Sequence, residues 1–327
     1  MNSGDKIPVT VLTGFLGSGK TTLVNHILTA NHGHRIAVIE NEFGEIPIDN
    51  DLVVNADEKI IEMSNGCCLC CTARTDLIEI LRSLLDRSDR FDRILIETSG
   101  LADPNPVAQT FFVDAEIEKH FTLDAIVTLV DAKHVRAHLA EGGHDGVGSH
   151  VVDQIAFADR IVINKIDLVD PDVVRQVRDA VRGINATAEI ITSRYAAIDV
   201  SDVLGIGAFD MDRTLSSDPH WLDESHQHDP HLTSVGIELE GLLDQRALES
   251  WLTAHLFERG EDVYRIKGLL AVADDPRRFI LQGVHGLFDI RPSAPWQSEE
   301  RIGKIVFIGR DLDRAELTRG LRSCLVS

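Results

Sequence analysis

One eight-residue run near the N-terminus constrains the fold of this chain more than any other feature. The run is Gly14-Phe-Leu-Gly-Ser-Gly-Lys20-Thr21, and it matches the pattern G-x-x-x-x-G-K-[ST]. It lies between an apolar, strand-like run and a helix-like segment, which is the context that this pattern requires. Glycine-rich turns of this kind hold phosphates with backbone N–H groups at a helix N-terminus. The run therefore predicts a P-loop in an α/β sheet.

This P-loop suggests roles for individual residues. Lys20 would reach the β- and γ-phosphate oxygens, and the Thr21 hydroxyl would bind Mg²⁺. Both are candidate catalytic residues, since phosphoryl transfer depends on positioning and on charge stabilisation. The residues that we expect to contact the nucleotide here are Gly14, Gly17, Ser18, Gly19, Lys20, Thr21 and Thr22.

Short apolar runs alternate with longer amphipathic segments through the first part of the chain. This alternation predicts an α/β fold with a mostly parallel sheet that is flanked by helices. The predicted strands are Val9–Thr13, Ile36–Glu40, Arg93–Glu97, Ala125–Asp131, Arg160–Asn164 and Glu189–Thr192. The predicted helices include Lys20–Ala30, Thr75–Arg87 and Asp172–Gly183.

The domain that carries the P-loop is predicted to span residues 1–205, and two further segments follow it. Residues 206–232 are rich in Gly, Pro, Asp and Ser and lack periodicity, which predicts a linker. Its histidines, at His220, His226, His228 and His231, fit either metal capture or a polar linker that happens to use His. Residues 233–327 predict a smaller α+β domain. Its predicted strands are Thr233–Leu239, Tyr264–Val272, Phe279–Val284 and Ile302–Ile308, with helices at Asp244–Phe257 and Asp313–Ser323.

A second motif, Asn164-Lys165-Ile-Asp167, follows an apolar strand and indicates which base is bound. It resembles the N-K-x-D element of GTPases. The Asp167 carboxylate can accept hydrogen bonds from N1–H and the exocyclic amine of guanine, and adenine offers no such pair of donors. The alternative is a helix cap after a strand, because Asp is a good N-cap residue. With a P-loop upstream, we favour base recognition and predict GTP as the nucleotide.

Two acidic segments at strand ends are candidates for sensing the γ-phosphate. The first is Glu40-Asn-Glu-Phe-Gly-Glu45, and the second is Glu97-Thr-Ser-Gly100. Ligands of open α/β sheets bind at this edge. Glu97 is the candidate acid for Mg²⁺, where P-loop enzymes usually carry Asp, and Gly100 would offer a backbone N–H to the γ-phosphate.

Four of the five cysteines are crowded into one glycine-led turn, at Cys67, Cys68, Cys70 and Cys71. Apolar packing gives no reason for this concentration, and a disulfide between such near neighbours would be strained. Thiolates in C-x-C-C spacing can supply two or three soft ligands to one ion. The turn therefore predicts a site for Zn²⁺, or for another transition metal such as Co²⁺.

Composition limits the partners. The formal net charge is −21, so a nucleic-acid backbone or an anionic membrane surface would be repelled. No stretch is apolar enough to predict a membrane span, and no secretory leader is evident. We expect a cytoplasmic protein with reduced thiols, with no nucleic-acid or membrane partner.

Together these motifs resemble the CobW-like GTPase family. The resemblance is carried by GFLGSGKTTL, IENEFGE, the C-x-C-C turn, ETSGLADP, NKID and the His-containing linker, and it extends to Trp296 and Val306-Phe-Ile-Gly309. It implies a metal-regulated GTPase that delivers zinc, cobalt or a similar ion to a client protein. It also implies a metal site formed by Glu40 and Glu45 with Cys68 and either Cys70 or Cys71. This chain has an extra cysteine after Gly66, so Cys67 is an alternative first ligand.

Two rival functions are compatible with the same residues. One is a zinc-buffering protein in which nucleotide turnover is secondary, and the thiol-rich turn would suffice for it. The other is a P-loop kinase for a small molecule, which the Asn164–Asp167 element argues against.

Overall fold

The computed structural model describes the chain in seven segments. These are residues 6–40, 60–62, 72–85, 91–140, 147–208, 232–296 and 301–326. The chain divides into two compact units, Met1–Asp179 with Ala188–Gly207, and Ala180–Thr187 with Ala208–Ser327. Within the seven segments, no helix is both long enough and apolar enough to cross a membrane.

The first unit is built on a parallel sheet, which has seven strands in the described residues. Their order is β3-β2-β4-β1-β5-β6-β7, and every neighbouring pair is parallel. The strands are β1 Ile7–Gly14, β2 Ile36–Glu40, β3 Ile60–Glu62, β4 Arg93–Glu97, β5 Phe121–Asp131, β6 Arg160–Asn164 and β7 Glu189–Thr192. The prediction of a mostly parallel α/β sheet is confirmed. Strand β5 begins at Phe121 instead of Ala125, because Phe121 and Leu123 are also buried.

Helices connect these strands. They are α1 Lys20–Thr29, α2 Thr72–Leu85, α3 Asn105–Val113, α4 Ala115–His120, α5 Val135–Ala140, α6 Val147–Phe157 and α7 Pro171–Ile184. Both α1 and α6 pack against the central strand β1, in which Val9, Val11 and Leu12 are fully buried. Burial of successive residues shows that both faces of β1 are covered, as the apolar run predicts.

The second unit is an antiparallel sheet in the order β11-β10-β9-β12-β8, together with two helices in its described part. Its elements are β8 Leu232–Glu240, α8 Gln245–Arg259, β9 Val263–Ala271, β10 Arg277–Val284, β11 Leu287–Pro295, β12 Ile302–Arg310 and α9 Arg314–Arg322. Asp244 and Asp313 cap the two helices by accepting hydrogen bonds from backbone N–H groups of the first turn. The prediction of a smaller α+β domain is confirmed. The sequence pattern does not predict β11, because this edge strand is half-exposed and carries two prolines.

Candidate functional site

Four parallel strands of the first unit end side by side at one edge of the sheet. β1 ends at Gly14, β4 at Glu97, β5 at Asp131 and β6 at Asn164. The carboxyl ends of parallel strands form the ligand-binding edge of an open α/β sheet. The candidate site is therefore assembled from loops that follow these four strands.

Two glycines of the P-loop are required by its backbone shape. Gly14 has a φ angle of 138° and Gly19 has one of 109°, values that residues with a Cβ atom rarely adopt. A Cβ on Gly14 would lie 2.3 Å from the carbonyl oxygen of Leu129, and one on Gly19 would lie 2.5 Å from Nδ2 of Asn164. The cradle therefore tolerates no side chain at either position.

Lys20 and Ser18 place side-chain donors in this cradle. Lys20 is only 8% exposed, and its Nζ donates to the carbonyl oxygens of Gly14 at 2.8 Å and Phe15 at 3.4 Å. The hydroxyl of Ser18 is buried and has no hydrogen-bond partner among the described residues. Because buried hydroxyls normally have a partner, an oxygen-rich anion such as phosphate fits this loop.

Thr21 and Glu97 form an oxygen pair beside the P-loop. The Thr21 hydroxyl donates to Oε1 of Glu97 at 3.3 Å, and Glu97 is 9% exposed. The β1–β4 register places Glu97 opposite Leu12, two residues before the loop begins. A hydroxyl and a carboxylate are the hard oxygen donors that Mg²⁺ prefers, so this donor set fits the predicted Mg²⁺ site.

Asn164 connects three loops of the site. Its Nδ2 donates to the carbonyl oxygen of Ser18 at 2.9 Å. Its Oδ1 accepts from the Ser193 hydroxyl and from the Ala196 N–H, both at 2.9 Å. Three of the four hydrogen-bonding positions of the carboxamide are therefore used by protein groups, and these bonds hold the P-loop against the loop that follows β7. Asn164 remains a predicted base contact, and in the structure it also joins the loops around the predicted base-binding residues.

Lys165 and Asp131 form a second polar contact at this edge. Lys165 lies in the left-handed region at φ 61°, and its Nζ donates to Oδ2 of Asp131 at 2.8 Å. His134 contacts the same oxygen at 2.9 Å. Burial alone would raise the pKa of Asp131, but hydrogen bonds from Lys165, His134 and the Lys133 N–H lower it below its ordinary value. The carboxylate therefore stays charged and holds the Lys165 side chain in place.

Asp167 differs from these neighbours because its carboxylate is exposed. It lies in the 3-10 helix Ile166–Leu168, and no group in the described residues hydrogen-bonds to it. An exposed carboxylate at the end of β6 is available to hydrogen-bond donors of a bound base. Thr22, the last predicted nucleotide contact, is also exposed on α1.

The loop after β7 contains strained backbone that no sequence pattern predicts. Tyr195 and Ala196 have φ angles of 55° and 54°, in the left-handed region that costs about 1–2 kcal/mol for such residues. The bond from the Ala196 N–H to Asn164 holds this conformation. Strain that the surroundings impose in this way is concentrated at binding sites. No spacing pattern in the sequence identifies Ser193 or Ala196 as residues of the site. Asp131 could have been identified, because it is a polar residue at the end of an apolar strand.

Most of the predicted transition-metal ligands lie outside the described residues. These are Glu45, Cys67, Cys68, Cys70 and Cys71, together with the linker histidines. Glu40 ends β2, and the β2–β4 register pairs it with Glu97. Within the part of the chain that the structure describes, no group of three or more His, Cys, Asp or Glu residues could hold a metal ion. Cys324, in the second unit, is a buried free thiol whose pKa is raised by burial.

Replacement of Asn164 provides a test of its connecting function. Asn164→Ala leaves a carbonyl, a hydroxyl and an N–H without their partner, so we expect a loss of about 2–4 kcal/mol in the free energy of unfolding. Urea denaturation of the purified variant measures this loss. The exposed Asn31→Ala is the matched control and should change stability by less than about 0.5 kcal/mol. Equal stabilities for the two variants would contradict the assignment.

Comparison with known proteins identifies the family. Residues 8–192 match the family described as "CobW/HypB/UreG, nucleotide-binding domain", and residues 232–325 match "Cobalamin synthesis protein cobW C-terminal domain". The zinc chaperone YjiA of Escherichia coli strain K12 is 34% identical over 318 residues, which cover 95% of this chain and 96% of that protein. The zinc-regulated GTPase metalloprotein activator 1 of Schizosaccharomyces pombe is 33% identical, over 95% of this chain and 84% of that protein.

Solved structures agree with this result. The crystal structure of Zn(II)-bound YjiA GTPase from E. coli covers 100% of both chains, with 29% sequence identity and a TM-score of 0.74. In this chain the segment that matches the nucleotide-binding domain precedes the segment that matches the C-terminal domain. The resemblance predicted from the motifs is thereby confirmed, and the chain belongs to the CobW/HypB/UreG family.

Proposed function

We propose that this protein hydrolyses GTP and uses its nucleotide state to control the binding of zinc, or a similar transition metal, which it delivers to a client metalloprotein in the cytoplasm. The observation that carries the proposal is the pairing of Glu40 with Glu97 in adjacent strands. Glu97 hydrogen-bonds to Thr21 of the P-loop, and Glu40 begins the segment that carries Glu45. A predicted metal ligand and a predicted Mg²⁺ ligand thus occupy neighbouring strand ends.

The described residues suggest how GTP is bound. P-loop N–H groups and Lys20 hold the phosphates, and Thr21 and Glu97 would hold Mg²⁺, which when bound offsets the charge on the β- and γ-phosphate oxygens. The Asp167 carboxylate accepts from N1–H and the exocyclic amine of guanine. In hydrolysis, water attacks the γ-phosphorus, the bond to the β–γ bridging oxygen breaks, and GDP and phosphate leave.

Zinc is the transported ion in this proposal. Glu40 and Glu45 with Cys68 and either Cys70 or Cys71 form its candidate site, and Cys67 is an alternative first ligand. Relatives named zinc chaperone and zinc-regulated GTPase metalloprotein activator support the choice of metal. If the γ-phosphate and the metal both bias the segment after β2, each must alter the affinity for the other by the same factor.

Zinc titration in two nucleotide states tests this coupling. We expect zinc to bind about 5–150-fold more tightly with Mg²⁺ and a non-hydrolysable GTP analogue than with GDP, the range typical of coupling between sites. Isothermal titration or competition with a chelating dye measures both dissociation constants. Equal zinc affinity in the two states would refute the coupling.

Two cysteine variants test where the metal binds. Cys70→Ser should lower the amount of zinc bound per chain, because it removes a candidate thiolate ligand. Cys324→Ser is the matched control, since Cys324 is a buried thiol that lies in the second unit. Unchanged zinc stoichiometry in both Cys70→Ser and Cys71→Ser would refute the site.

A further inference from the structure

A tight turn follows β4 and carries the predicted γ-phosphate sensor. The Ala102 N–H donates to the carbonyl oxygen of Ser99 at 3.0 Å, which closes the turn over Gly100 and Leu101. On its N-terminal side, the Thr98 N–H donates to the carbonyl oxygen of Leu12 at 2.9 Å. The turn is therefore fixed at its base to β1, next to the P-loop.

Gly100 packs directly against the P-loop. A Cβ at this position would lie 2.6–2.8 Å from three atoms of Leu16, including its backbone nitrogen. Gly100 is buried, and its N–H donates to no acceptor within the described residues. Buried N–H groups normally have an acceptor, so this one is available to a ligand in the cradle.

Gln154 supports this turn from α6. Its side chain is 1% exposed, and its Nε2 donates to the carbonyl oxygens of Gly100 and Ala102, both at 3.2 Å. These two bonds fix the peptide group that follows Gly100. Glycine rotates more freely than any other residue, so its ψ angle would otherwise be loosely set.

Helix α6 is itself held firmly on the sheet. The Thr128 hydroxyl in β5 donates to the backbone carbonyl oxygen of Gln154 at 2.8 Å. Just beyond the helix, the Asp159 N–H donates to Ile126 O at 2.8 Å, and the Ile126 N–H donates to Asp159 Oδ2 at 2.9 Å. Gln154 therefore projects from a rigid support to the turn that must meet the γ-phosphate.

We propose that Gln154 is a positioning residue for GTP hydrolysis: it holds the Ser99–Ala102 turn so that the Gly100 N–H is presented to the γ-phosphate. This inference rests on the proposed GTP hydrolysis and not on zinc coupling. GDP lacks the γ-phosphate, so the contribution of Gln154 belongs to the GTP state alone. A purely structural residue would instead affect the binding of both nucleotides equally.

Gln154→Met tests this distinction, because methionine keeps the length of the side chain and removes its donor. We expect the dissociation constant of a non-hydrolysable GTP analogue to rise about tenfold, because the Gly100 N–H bond to the γ-phosphate is lost. The dissociation constant of GDP should change less than about twofold. We expect kcat to fall about 10–100-fold. Gln176→Met, the same change at an exposed position on α7, should leave all three values unchanged. An unchanged ratio of analogue to GDP affinity in Gln154→Met would overturn the inference.

Gln154→Glu supplies a second measurement that does not depend on comparing folded stabilities. A carboxylate cannot donate to the Gly100 and Ala102 carbonyl oxygens, whereas a protonated carboxyl can donate to one of them. Analogue affinity relative to wild type should therefore recover as the pH falls. Asp131, His134 and His138 line the same cavity as Gln154. The control is therefore Gln154→Met, which adds no titratable group and whose ratio to wild type should stay flat with pH. A flat ratio for Gln154→Glu as well would contradict the proposal. If wild type hydrolyses no GTP, the proposed function fails, and the affinity ratios still decide the part played by Gln154.

Discussion

Lys20→Ala is expected to lower the rate of GTP hydrolysis by at least about 10³-fold. Removal of a single neutral hydrogen-bond donor to the charge that develops in a transition state already lowers kcat by about 10²–10³-fold, and the Lys20 donor is also positively charged. Lys20 is 8% exposed, and its ammonium lies within hydrogen-bond distance of the Gly14 and Phe15 carbonyl oxygens. A phosphate-release assay under saturating GTP measures the loss. Thermal denaturation in the absence of nucleotide should show a folded variant.

Lys119→Ala is the matched control, because Lys119 is an exposed lysine on α4. It should hydrolyse GTP at the wild-type rate. In the absence of nucleotide, zinc bound to the thiol-rich turn should remain nearly intact in Lys20→Ala, since that lysine is not a candidate metal ligand. A wild-type protein that binds zinc and lacks GTPase activity would instead favour the zinc-buffering alternative.

Asp167→Asn is expected to reverse the base preference of the site. Asn replaces one of the two acceptor oxygens with an amide donor, which would face a donor of guanine, so GTP affinity should fall about 10²–10³-fold. This loss is less than the roughly 10⁴–10⁵-fold loss of a fully buried recognition group. Xanthosine triphosphate carries an oxygen where guanine has its amine, and that oxygen can accept from the new amide. Competition binding with both nucleotides, on wild type and variant, measures the reversal.

Asp170→Asn controls for the change of charge, since Asp170 is an exposed aspartate three residues further along the chain. It should leave the GTP preference unchanged. If Asp167→Asn binds GTP as tightly as wild type, Asp167 does not read the base. A wild-type preference for ATP would revive the kinase alternative.

Several elements could be predicted from the sequence because local patterns specify them. Buried strands such as β4 and β6 have a continuous apolar run at their centre, and their observed bounds equal the predicted ones. The cradle between β1 and α1 is specified by glycines whose φ angles only glycine adopts readily. By contrast, β11 carries neither an apolar run nor clean alternation, since its residues are half-buried or exposed.

The sequence by itself determined the α/β fold class, the P-loop and the family, because these depend on short patterns of neighbouring residues. Only the tertiary structure decided which polar groups are committed to protein contacts. Asn164 bonds to a carbonyl 146 positions away, and Gln154 bonds to carbonyls 54 and 52 positions away. Such bonds are set by how the strands are ordered in the sheet, and a lone asparagine or glutamine in an apolar segment carries no local signal of its distant partner.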